Sequence, residues 1–65
     1  MENKNVELIE KIEALAKEMD TGNGENIIAI CKLQNVAKQY RLGLASEKEA
    51  QQTYDVIKYF YELNA

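Results

Sequence analysis

The side chains with the greatest capacity for chemistry are few, and their spacing does not combine them. Cys31 is the only cysteine and the chain has no histidine. A thiol nucleophile needs a base beside it, and the usual base is missing. The apolar neighbours of Cys31 predict a small hydrophobe packed in the core. One cysteine excludes an intrachain disulfide. Without histidine it cannot complete the usual four-ligand zinc site either, so no metal and no cofactor are expected. Asp20-Thr21-Gly22 matches the tripeptide that carries the catalytic aspartate of aspartic proteases, but that chemistry needs a second Asp to share the proton, and these surroundings read as helical. A turn is the better reading. Counted from Asp20 as a calcium loop, the ligand positions fall on Gly22, Gly24 and Cys31, which supply no side-chain oxygen. No carboxylate pair stands apart from ordinary helix-surface charge and there is no phosphate-cradling glycine loop, so the expectation is a protein that is not an enzyme.

Two other groups of residues are more informative. The net charge is −3, but it is unevenly spread, and the bases Lys32, Lys38 and Arg41 fall together in the middle of the chain among very few acids. Dispersed charges of this kind commonly pair with acids on neighbouring elements at small energy. The sharper alternative is a site for a small anion such as a nucleotide, with Lys32, Lys38 and Arg41 holding phosphate and Tyr40 or a C-terminal tyrosine stacking on the base. The other group is aromatic. Tyr59, Phe60 and Tyr61 are consecutive, and on a helix they point about 100° apart, so one core cannot take all three. Together with Tyr54 and Ile57 they mark an expected interface, because tyrosine combines an apolar ring with a hydroxyl that can stay wet.

The elements that must position these groups are legible from periodicity and breakers. There is no proline, and the three glycines, Gly22, Gly24 and Gly43, fall at the expected breaks. Leu8, Ile12, Leu15 and Met19, widened by Ile9 and Ala16, predict a helix over Asn5–Met19. Asp20 to Gly24 stops it, and Asn23 or Asn26 can cap the next. The second helix is predicted over Glu25–Leu42, with Ile30, Leu33, Ala37, Tyr40 and Leu44 on one stripe and Ile27, Ile28, Cys31 and Val36 around it. An apolar surface that wide predicts a central helix with two neighbours, or with one neighbour and another subunit. Gly43 reads as a left-handed cap, and Ser46-Glu47-Lys48-Glu49 as a capping box opening a third helix over Glu47–Leu63. That helix carries one stripe of Ala50, Tyr54, Ile57 and Tyr61 and a second of Val56, Phe60 and Leu63.

The 65 residues therefore predict a single all-α domain over 1–65, either an up-down-up three-helix bundle or a helical hairpin plus a third helix. A chain of this length buries only about 60% of its unfolded surface. With neither disulfide nor metal, assembly into a helical homo-oligomer is the expected compensation. The acidity, with pI ≈ 4.8, argues against nucleic acid and anionic membrane as partners. No apolar run approaches the roughly 20 residues that span a bilayer. The opening residues lack a signal-peptide pattern, and a lone thiol fits a reducing compartment, so a soluble cytoplasmic protein is expected.

In size and acidity the chain resembles small phage-encoded regulators and anti-defence proteins, a likeness of style rather than motif. The expected function is a binding or regulatory protein of inhibitor or adaptor type, acting through association with itself and with another protein. The alternative is an oligomeric protein that sequesters a nucleotide-like anion. A third reading, helix-turn-helix DNA binding, is disfavoured because Glu47 and Glu49 open the helix that should meet phosphate.

Overall fold

The computed structural model describes residues 5–64, which form three α-helices and no strand: α1 (Val6–Met19), α2 (Ile27–Arg41) and α3 (Glu47–Leu63). Each pair of helices is in contact, and the molecule is elongated, 40 × 20 × 16 Å.

The first helix follows its sequence pattern closely. The Asn5 side-chain oxygen accepts from the Leu8 N–H at 3.1 Å, satisfying one of the donors a helix start leaves open. All six residues of its stripe, Leu8, Ile9, Ile12, Leu15, Ala16 and Met19, are buried. The turn after it is held by short polar side chains. Asp20 accepts from the Gly22 N–H at 3.1 Å, which gives the carboxylate a turn-forming role.

The second helix starts at Ile27, two residues later than its pattern predicts, because Glu25 and Asn26 belong to the turn. Asn26 stands at the N-cap but makes no side-chain cap bond there. Its amide donates instead to the Met19 carbonyl at 2.9 Å and closes the end of α1. At the far end, the Leu44 N–H donates to the Gln39 carbonyl at 2.8 Å and the Gly43 N–H to the Tyr40 carbonyl at 3.1 Å. This is a Schellman ending, with Gly43 at φ 79° in the left-handed region. The chain has therefore left the helix before Leu44, and the helical register that placed Leu44 on the buried stripe no longer applies. Leu44 is exposed; Ala45 is buried in its stead.

The third helix opens at Ser46, whose hydroxyl accepts from the Glu49 N–H at 3.1 Å. Among the described residues only this half of the expected capping box forms. No bond returns from the Glu49 carboxylate to the Ser46 N–H. Ala50 is the one buried residue of α3, and Tyr54, Ile57 and Tyr61 pack half-buried against the core. The core thus belongs mainly to α1 and α2, and α3 lies over it with one narrow face.

Candidate interaction surface

At one end of the molecule the polar groups are mutually satisfied. Tyr40 is buried, and its hydroxyl accepts from the Asn5 N–H at 2.8 Å and donates to Glu47 Oε1 at 3.2 Å. The Asn5 amide donates to Glu47 Oε2 at 3.1 Å. One phenol and one carboxylate therefore join the start of α1, the end of α2 and the start of α3. Tyr40 presents no ring face on which a base could stack, which corrects the role the sequence offered it.

The remaining members of the basic group do not gather around it. Arg41 Nη2 lies 2.8 Å from Glu13 Oε2, linking α2 to α1 through two half-exposed side chains. Lys38 is exposed one turn earlier, and Lys32 is exposed on the first half of α2, where it lines a groove against α3. Nine residues of helix rise, about 13 Å, separate Lys32 from Arg41. Cys31 is exposed on the outer face of α2. That overturns the expected core position: the buried face of α2 runs through Ile30, Leu33, Val36, Ala37 and Tyr40, and Cys31 falls nearly opposite it.

The other end of the molecule is apolar. An open groove between α2 and α3 is lined by Ile27, Ile28 and Lys32 of α2 and Val56, Phe60 and Tyr61 of α3, with Met19, Asn26 and Asn64 also on its wall. Ile28 is 71% exposed, Phe60 56% and Tyr59 61%, and Ile27, Val56 and Leu63 are also largely in water. Tyr59 and Phe60 meet edge to face, with ring centroids 5.4 Å apart. Of the five residues predicted as an interface, Tyr54, Ile57 and Tyr61 lean on the core, while Tyr59 and Phe60 stand outward. Lys58 donates to the Tyr54 hydroxyl at 3.4 Å. That bond, then the charge of Tyr54 and then that of Glu62, hold its ammonium above the ordinary lysine value.

Sequence reasoning named Tyr59 and Phe60 and the over-wide apolar face of α2, and the structure leaves Tyr59, Phe60, Ile27 and Ile28 exposed. Ile27 and Ile28 read as flanks of the α2 stripe, to be covered by a second neighbour or another subunit, and neither α1 nor α3 covers them. Among the described residues no three acidic or cysteine side chains gather as a metal-ligand cluster. No helix of those residues is long and apolar enough to cross a membrane. No family model, curated protein or solved structure matches the chain, so these side chains are what its function is read from.

Proposed function

We propose that this chain is a small non-enzymatic binding protein whose helices lie up-down-up, and that it acts through protein–protein association as a homo-oligomer. The observation that carries this reading is the row of large apolar side chains left in water at one end of the molecule: Ile27, Ile28, Val56, Tyr59, Phe60 and Leu63. Isolated exposed apolar residues are ordinary, but a contiguous set around a groove marks a contact surface. Its polar fringe and its pair of aromatic rings match the anatomy of interfaces. The anion-binding alternative has less support, since Tyr40 is enclosed and Arg41 already faces Glu13.

Sedimentation velocity over a concentration series tests the proposal. The expected result is a concentration-dependent shift from monomer to a larger species, abolished by Phe60→Glu with helicity retained, because Phe60 contributes nothing to the buried core. A wild-type protein that sediments as a monomer throughout, at millimolar concentration included, overturns it.

A further inference from the structure

We infer that Asn23-Gly24, in the turn between α1 and α2, is a self-modifying site. The Gly24 nitrogen attacks the amide carbon of the Asn23 side chain, and water completes the conversion of Asn23 to an aspartyl or isoaspartyl residue. The reaction uses only the chain and solvent, and the inference stands apart from self-association.

The Gly24 nitrogen gives up its proton to water or hydroxide and forms a bond to Asn23 Cγ. The Cγ–Nδ2 bond then breaks, and Nδ2 leaves with its electron pair as ammonia after taking a proton from solvent. A cyclic imide remains, and water opens it at either carbonyl. Breaking the bond from nitrogen to Cγ gives an aspartyl residue on the ordinary main chain. Breaking the bond from nitrogen to the Asn23 carbonyl carbon gives an isoaspartyl residue, whose main chain runs through Cβ and Cγ. Nothing is oxidised or reduced. Attacking and attacked atoms belong to one chain, so their relative placement governs the rate.

Asn23 and Gly24 are both exposed, so water reaches each step. Gly24 has no Cβ to crowd its nitrogen, and nothing lies within 4 Å of where one would stand. Its N–H donates to no group among the described residues, so the nucleophile is held in no other bond. The Asn23 side chain is folded back along the main chain: its Oδ1 accepts from the Glu25 N–H at 3.2 Å. That is an Asx turn, a ring that spans the Gly24 nitrogen and keeps Cγ close to it. The Thr21 hydroxyl donates to the same oxygen. Two donors on Oδ1 draw electron density from Cγ and stabilise the charge that develops on the oxygen as the nitrogen adds. The other described asparagines lack this arrangement. Asn5, Asn26 and Asn35 precede the β-branched Val6, Ile27 and Val36, and the Asn64 amide is bonded to the Phe60 carbonyl. Thr21, Gly24, Glu25 and Asn26 also line the groove between α2 and α3, so either product adds a negative charge beside that groove.

The test is to hold the folded wild type in neutral buffer at physiological temperature for weeks and to map its peptides by fragmentation mass spectrometry. The expected result is an amide-to-acid mass change at Asn23, divided between aspartyl and isoaspartyl forms, while the other asparagines keep their amides. Asn23→Gln, whose longer side chain would have to close a larger ring, should stay unmodified. An Asn23 that remains an amide throughout, or conversion spread evenly over the asparagines, overturns the inference. The part played by the turn is read from Thr21→Val, which should convert about threefold more slowly than wild type when folded, since one of the two donors is gone. In urea the two proteins should convert at the same rate, and Thr21→Ser should restore the folded wild-type rate. Folded Thr21→Val converting as fast as wild type overturns the activating role of the hydroxyl. If Thr21→Val lowers helicity, the wild type compared folded and in urea still decides: a folded rate far below the unfolded one shows that the turn protects Asn23 and overturns the inference.

Discussion

Tyr40 is the residue on which most depends, because one hydroxyl serves two other helices. Its neighbours are the Asn5 N–H, which loses this partner if the oxygen is removed, and the Glu47 carboxylate, which then keeps the Asn5 amide on its other oxygen. Tyr40→Phe keeps the buried ring and is expected to cost about 1–3 kcal/mol, the usual penalty for leaving partly buried polar groups unpaired; urea denaturation monitored by circular dichroism measures it. Leu33 is fully buried and at the centre of the core. Leu33→Ala is expected to cost about 2–5 kcal/mol by loss of transfer energy plus a cavity, enough in a chain this small to leave a large unfolded fraction at room temperature. By contrast, the Arg41–Glu13 pair is half exposed on both sides. Arg41→Ala should change stability by less than about 1 kcal/mol.

At the level of elements, local rules set the helix ends and tertiary contacts set what each helix buries. The Schellman turn at the end of α2 requires a residue with positive φ, which Gly43 adopts without a steric penalty. Gly43→Ala is expected to lower stability by about 1–2 kcal/mol, since an L side chain is strained there, and thermal unfolding in parallel with wild type checks it. The cap at Ser46 depends on one hydroxyl–amide bond, so Ser46→Ala should cost about 1 kcal/mol. A loss well below that would mean water replaces the hydroxyl at this exposed end. These breaks were readable from glycine, serine and asparagine positions alone. The start of α2 was not, because Asn26 caps the preceding helix instead of its own, a choice fixed by the proximity of the Met19 carbonyl.

For the whole molecule, large apolar side chains stand in water at both ends, with Val6, Leu42 and Leu44 at one and the set around the α2–α3 groove at the other. One end is tied by Asn5, Tyr40 and Glu47, and the other exposes the groove between α2 and α3. If a second copy covers that groove, association binds only the folded state and stabilises it by mass action. The melting temperature should then rise with protein concentration in differential scanning calorimetry, and in Phe60→Glu it should stay constant. A wild-type melting temperature independent of concentration would contradict the proposed association.

The sequence by itself determined that the protein is helical, where the three helices break, and that the stripe of α1 is buried, because spacing and breaker residues act locally and α1 has one apolar face to hide. It also determined that three consecutive aromatics could not share one core. Periodicity put Leu33 and Tyr40 on the main stripe of α2, and tertiary structure decided what it could not: the apolar surface of α2 exceeds what α1 and α3 cover, and only their actual placement buries Val36 and leaves Ile28 and Cys31 in water. The same placement encloses the Tyr40 ring, since a helix with apolar residues on most of its circumference carries no local signal of which part its neighbours will reach.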